Sequence, residues 1–456
     1  VHVTHFLTVV LSLELWCGAF SVDAACAQQT EPAVQALYDP DPQHLWNRLH
    51  HALFVRLDGR GEMVGFDELD PLLWHDTTHL LEGPSHDLAL RALDEFVDHE
   101  GHNLIRDPLK RAVIQHDLWF VFDWLANTVD PRRRDDPKPR ALRMQVARAM
   151  RKLALPRDEI EQLPDTWHEA VESQTLPTAF DPDRPDQPFL PRDLFDEQGP
   201  WVCLTRSGPD RVTARLHARQ LGARSVFLVF MRFPSPSRDA TLTYLQTINL
   251  FKRPIVLVKS PIGSLVSGSR RTPVRNDPIV VNPDVPQFPA GTQVALVRRM
   301  MVIGDEGQLV PTGIVEMVQT RVYLTVNDGA TVTWKESPMQ AFQEIRSRRS
   351  QLLAKRAGGL SGVTLSEPKY GHFFAYGEKR QFEEGPRPLR CMGCHRGNGI
   401  HSVNTYAFGH GLAENLAPKL SPTHWSAEAD RTIKSKQQRY EWGLLRGLWD
   451  SELRSP

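Results

Sequence analysis

The chain has 456 residues, enough for two or three domains of ordinary size. With 41% hydrophobic and 24% charged residues it can bury a sizeable core, which excludes global disorder. The formal net charge is −1, so there is no electrostatic reason to expect nucleic acid or an anionic membrane as the main partner.

The first thirty residues read as a targeting segment. Phe6 to Val22 is mostly apolar, with Glu14 as its only charge, and Ala25-Cys26-Ala27 forms a small-x-small site before Gln28. Residues 1–27 are therefore expected to be a signal peptide, with a buried N-terminal helix as the alternative. Asp23 argues against a lipid anchor at Cys26. No later stretch approaches the roughly 20 apolar residues of a membrane span, so the mature chain is expected to be periplasmic or secreted without a transmembrane segment.

Residues 28–175 carry helical periodicity. His44, Leu45, Leu49, Leu53 and Phe54 recur near every 3.6 residues, and Leu88, Leu90, Leu93, Phe96 and Val97 do the same. The stretch Val113 to Val129 is apolar nearly all round, which places its helix at the centre of a bundle. Asp130-Pro131 stops it, and another helix begins at Pro137 and runs to Leu155. Residues 176–200 are proline-rich and read as a linker. Residues 201–335 read as an antiparallel β-rich domain, with strands expected over Val212 to Leu216, Ser225 to Phe230, Pro254 to Val258, Gln293 to Ile303 and Val310 to Thr325. Gly304-Asp305-Glu306-Gly307 should turn the last pair. Within 336–456 a helix is expected over Ser337 to Arg356, and another from Ala427 to Leu448. Cys203, in an apolar run, reads as a small buried hydrophobe.

The chemistry concentrates in Arg390-Cys391-Met392-Gly393-Cys394-His395-Arg396, which contains C-x-x-C-H. Two cysteines three apart on a helical turn present both thiols to one haem edge, where each can add to a vinyl group. The adjacent histidine then projects its imidazole under the iron. Two other readings use the same residues. Cys391 and Cys394 could form a redox disulfide, although no strand is expected before them. A zinc site would need about four ligands, drawn from Cys391, Cys394, His395 or His401, and His410.

Through Cys391, Cys394 and His395 the segment resembles the haem-attachment region of c-type cytochromes. The whole chain is similar to large exported bacterial proteins with a single haem motif near the C-terminus. The resemblance implies one covalent haem c, with His395 as proximal ligand and a redox partner protein. One departure from the cytochrome pattern matters. No methionine follows Met392, so the usual downstream thioether is missing from the distal side. His401, six residues past His395, is too close to round the haem edge, a path of about 20 Å at roughly 3.5 Å per residue. His410 and His424 are the preferred distal ligands and His372 the reserve. Gly397-Asn398-Gly399 gives backbone freedom beside the macrocycle. Arg390, Arg396 and Tyr406 are candidates for the propionates. Trp425, Tyr440, Trp442 and Trp449 suit a haem wall or an ordinary core equally. His99-Glu100-Gly101-His102 lacks the four-residue spacing of a zinc protease.

The expected whole is a multi-domain α+β protein. A helical domain comes first, an antiparallel β domain second, and a mostly helical cytochrome c-like haem module last. Electron transfer is the leading function. A peroxidase-type enzyme with an open distal site and a zinc-stapled exported scaffold are the alternatives, separable by iron coordination number and metal content. If the targeting reading holds, peptide mass spectrometry of the exported protein will find Gln28 as its first residue; recovery of residues 1–27 on the chain would overturn it.

Overall fold

The computed structural model of the protein describes residues 33–57, 63–67, 69, 79–81, 83–127, 136–207, 212–220, 223–251, 255–257, 279–282, 284–326, 340–363, 395, 397–407 and 419–453. Residues 1–27, expected to be a signal peptide, lie outside these residues, as do Cys391, Cys394, His372, His410, Arg390 and Arg396.

The chain opens with helices. They are α1 (Leu45–Phe54), α2 (Gly83–Asp98), α3 (Pro108–Asn127), α4 (Pro137–Leu153), α5 (Arg157–Glu161) and α6 (Thr166–Ser173), with a two-stranded hairpin of β1 (Arg56–Leu57) and β2 (Met63–Val64) after α1. Their ends follow local chemistry. His44 caps α1 through Nδ1, which accepts from the Trp46 amide at 3.3 Å, and Asp107 accepts from the Leu109 amide at 2.8 Å beside Pro108 at the start of α3. From Ala112 to Ala126 every residue of α3 is buried. The all-round apolar pattern thus marks a central helix, packed on α4 and on the sheet.

Seven strands form one antiparallel sheet, in the order β10-β9-β8-β7-β4-β3-β11. They are β3 (Val202–Arg206), β4 (Ser225–Arg232), β7 (Gln293–Ile303), β8 (Leu309–Tyr323), β9 (Gln340–Ser347), β10 (Leu360–Val363) and β11 (Leu420–Pro422). A separate pair joins β5 (Ile255–Leu257) to β6 (Ile279–Val281). The later helices are α7 (Arg215–Gln220), α8 (Arg238–Ile248), α9 (Arg349–Leu353), α10 (Asn404–Ala407), α11 (Trp425–Gln437) and α12 (Tyr440–Leu453). Gly304 and Gly307 turn β7 into β8, the Gly304 amide donating to Gln308 O at 2.9 Å and Gly307 taking φ +76°.

The run in β4 is continuously apolar because both faces of the sheet are covered. Val226, Leu228 and Phe230 pack with α3, α4, α11 and α12, whereas Phe227, Val229 and Met231 pack with α8 and the 400–406 segment. This second face is where His395 lies.

Three elements differ from expectation. Residues 340–347 form a strand rather than part of a helix over 337–356; among the described residues of that span only Arg349–Leu353 is α-helical. Ala, Gln, Glu and Arg favour a helix locally, but pairing from Met317↔Arg346 to Tyr323↔Gln340 satisfies the open edge of β8 and overrides that preference. Residues 212–216 are not a strand: 212–214 turn into α7, which already includes Arg215 and Leu216. The C-terminal helix is two helices, α11 and α12, broken at Gln438 and Arg439.

The interface between α3 and the sheet is charged as well as apolar. Asp123 pairs with Arg224 at 2.6 Å and with Lys436, which also meets Glu441 at 3.1 Å. Asp117 pairs with Arg349 at 2.6 Å. His116 presents Nδ1 to Met301 O at 2.8 Å and Nε2 to Glu316 at 3.1 Å, and Arg298 lies 3.4 Å from the same carboxylate. Burial alone would raise the Glu316 pKa, but Arg298 and His116 outweigh it and bring it down to about 2.

Replacing Asp123 by Ala takes the carboxylate away from the buried Arg224 and one of two carboxylates from Lys436, and urea denaturation should show a loss of about 3–5 kcal/mol. Asp181→Ala, which removes the exposed pair with Arg184 and the acceptor of the Asp183 amide, should change stability far less. Acid should also weaken the fold. The native Glu316 pKa lies below its ordinary 4.5, so its contribution is full above that value and is lost as pH falls through about 2. In Glu316→Gln, which lacks this proton linkage, stability should fall less steeply between pH 5 and pH 2 than in the wild type.

Candidate functional site

The site is built by a tight turn after His395. Gly399 takes φ +50° and opens a 3-10 turn over Gly399–Ser402 that runs into α10. A Cβ on Gly397 would sit 2.8 Å from the carbonyl carbon of His401, and one on Gly399 would meet Gln287 Oε1 at 2.0 Å. The two glycines are therefore needed for close approach. Gln287 accepts from the Ile400 amide at 3.0 Å, and Gln340 Nε2, at the start of β9, donates to His395 O at 3.2 Å.

The turn brings the carbonyl of Ser402 back to His395. His395 Nδ1 lies 2.9 Å from Ser402 O. A carbonyl can only accept, so Nδ1 carries the proton and Nε2 keeps its lone pair. Ser402 is fully buried and is itself fixed from β8. Arg321 Nη1 donates to Ser402 O and Oγ, each at 3.2 Å. The Ser402 hydroxyl donates to Gly399 O at 2.8 Å, so the Tyr323 phenol, 2.6 Å away, donates to Ser402 Oγ. Burial, followed by the Arg321 charge, pushes His395 down to about 3, which keeps the imidazole neutral.

Beside it stands a second imidazole. His217 on α7 has its ring centroid 6.4 Å from that of His395, with the planes 12° apart, and packs on Phe227 at 6.0 Å. Burial, then Arg321 and Arg298, brings it down to about 4. His401 is buried with its Nδ1 unpartnered among the described residues, and burial brings it down to about 4.

The other expected residues lie elsewhere. His424 caps α11, Nδ1 accepting from the Ser426 amide at 3.1 Å, and its Nε2 lies against Glu197 on the surface. Trp442 packs on Trp119 with centroids 6.1 Å apart, and Trp449 belongs to the core on the α3 side of the sheet. Tyr440 is 59% exposed. These aromatics therefore build the helical layer and do not wall His395. Tyr406 is buried with the 400–406 segment. At His99-Glu100-Gly101-His102, α2 has already ended at Asp98 and Glu100 takes φ +51°, so the two histidines do not share a helix face. Cys203 is a free, buried thiol on β3, its pKa raised by burial. Among the described residues no group of three or more His, Cys, Asp or Glu is placed to hold a metal ion.

Sequence reasoning missed His217, Arg321, Tyr323 and Ser402. No local pattern marks them, because their role comes from contacts across the sheet. Comparison with protein-family models, with curated proteins and with solved structures finds no match for the chain.

The turn can be tested through its glycines. Gly397→Ala meets backbone that cannot swing away, and urea denaturation should show a loss of about 1–3 kcal/mol. Gly443→Ala, in α12 with nothing within 4 Å of the new methyl, should instead gain about 0.5–1 kcal/mol.

Proposed function

We propose that the protein is an exported, c-type cytochrome-like electron-transfer protein. It carries one haem, bound through thioethers to Cys391 and Cys394, with His395 as axial ligand. The cytochrome-like part is the C-terminal stretch 336–456. One observation carries the reading: Ser402 O holds His395 Nδ1 at 2.9 Å, which leaves Nε2 as a bare, oriented donor. The donor set suits the group, since a tetrapyrrole fills four positions itself and asks the protein only for axial ligands.

When bound, haem supplies a one-electron iron couple. The residues of this chain do the rest. Cys391 and Cys394 prevent dissociation. Ser402 orients His395 and, by accepting from Nδ1, makes Nε2 a stronger base. Arg321 holds the Ser402 carbonyl from the far side and places a fixed positive charge beside the site, which favours the lower iron charge. The 400–406 segment, packed on β4 and α8, anchors the turn that carries Ser402. A redox partner protein would take or give the electron.

The test is maturation of the full chain in a host with haem-ligation machinery. Haem should stay with the polypeptide through acid-acetone extraction and denaturing electrophoresis, and Cys391→Ala with Cys394→Ala should abolish it. Release of all haem on denaturation, or equimolar zinc with no haem, would overturn the assignment.

A further inference from the structure

Where α3 meets α11, a primary amine and a carboxylate share a dry site. Lys436 Nζ lies 2.5 Å from Asp123 Oδ2 and 3.1 Å from Glu441 Oε1, and all three side chains are buried. We infer that Lys436 and Asp123 condense into an intramolecular isopeptide bond, with Glu441 as the proton carrier. The ion pairs described above are the arrangement from which the bond forms. Nothing in the proposal depends on haem attachment.

Proximity is the first argument. A carboxyl C–O bond adds about 1.2 Å to the 2.5 Å contact, so the amine nitrogen lies within about 3.7 Å of the carboxyl carbon. Reacting atoms in a near-attack arrangement stand about 3–3.5 Å apart. The two residues are 313 positions apart in sequence, yet two packed helices hold them at the distance of neighbouring groups on one molecule.

Dryness is the second. The Lys436 side chain is 0% exposed and that of Asp123 1%. The Trp119 ring lies 5.3 Å from Nζ and packs against Trp442. Burial pushes the Lys436 amine below its usual range, against the pull of Asp123 and Glu441. The neutral amine is the nucleophile, and the water that would reverse the condensation is excluded. A neutral amide also replaces two buried ions, whose desolvation is costly.

The third argument is hydrogen bonding. Asp123 Oδ1 is buried with no partner among the described residues, whereas Oδ2 accepts from Lys436 and, at 2.6 Å, from Arg224. An amide has one oxygen and one N–H. The oxygen keeps Arg224 as its donor, and the N–H keeps Glu441 as its acceptor. The orphaned oxygen departs as water, which removes the unsatisfied group.

The steps balance. The Lys436 ammonium passes one proton to the Asp123 carboxylate, giving an amine and an acid. The amine attacks the carboxyl carbon, the C–N bond forms, and Arg224 holds the oxyanion of the tetrahedral intermediate. Glu441 takes a proton from the nitrogen and returns it to the departing hydroxyl as the C–O bond breaks. Burial alone would raise the Glu441 pKa, but Lys436 and Arg439 bring it down to about 2, so it begins as a carboxylate able to accept. An ammonium and a carboxylate become an amide and water. One charge of each sign disappears, and nothing is oxidised or reduced.

The experiment takes the folded full chain, denatures it, digests it with trypsin and weighs the peptides. In the wild type, residues 112–132 should be joined to residues 435–439, about 18 Da lighter than the two peptides together. Lys436→Arg should release 112–132 as a separate peptide. Asp123→Asn, which keeps the side-chain shape, should still link, with loss of ammonia, about 17 Da, in place of water. Glu441→Gln should link at least about tenfold more slowly, with its fold checked by circular dichroism. Recovery of 112–132 unlinked from the folded wild type would overturn the bond. Linking of Glu441→Gln at the wild-type rate would overturn the role given to Glu441.

Discussion

Helix α3 has no face in solvent, and the rest of the architecture follows from that constraint. A helix buried on all sides must be covered on all sides. In this protein α4 and α12 cover part of it, and β7 and its neighbours cover another. Gln115, Asp117 and Asp123 on it cannot reach water, and the groups that meet them come from far along the chain. Gln115 exchanges bonds with Ile303, at 2.8 and 3.0 Å; Asp117 meets Arg349, and Asp123 meets Arg224 and Lys436. Buried charges of this kind add little net stability over apolar packing, but they tolerate few alternative partners. Together with the Gln115 bonds they join α3 to β7, α9, α11 and the residue that leads into β4 in one arrangement.

The sheet transmits that arrangement to the site. Alternation along β4 sends Leu228 toward α3 and Phe227 toward His217, so the core on one face and the imidazole pair on the other share a strand. On β8, Arg321 and Tyr323 converge on Ser402, whose carbonyl holds His395. The glycine turn at 397–399 makes that convergence geometrically accessible. Displacement of β8 would therefore move Ser402 and, through it, the donor nitrogen of His395.

Much of this was legible from the residues alone. The helices over 108–127 and 137–153, the hairpin of β7 and β8 and the strand at β4 follow periodicity and turn chemistry closely. The motif located His395, and its spacing pointed to the Gly397–Gly399 turn as a place of backbone freedom. What was not legible was long-range. Residues 340–347 look helical until the edge of β8 is present to pair with them. Arg321 reads as one more strand arginine until Ser402 lies against it. Trp442 and Trp449 suit a cofactor wall as well as a core, because aromatic character does not say which side of the sheet a helix will take.

The sequence by itself determined which segments have one buried face and which have two, where the chain must turn, and that Cys391, Cys394 and His395 follow one another at C-x-x-C-H spacing. Those properties depend on neighbours within a few residues, and they are set by side-chain alternation, helical period and the backbone freedom of glycine. Only the tertiary structure decided that His217 lies beside His395, that Ser402 orients His395, and that α3 sits against Arg224, Arg349 and Lys436 from later in the chain. Such pairings join positions tens to hundreds of residues apart. No local preference encodes them; they follow from how the two faces of one sheet are covered.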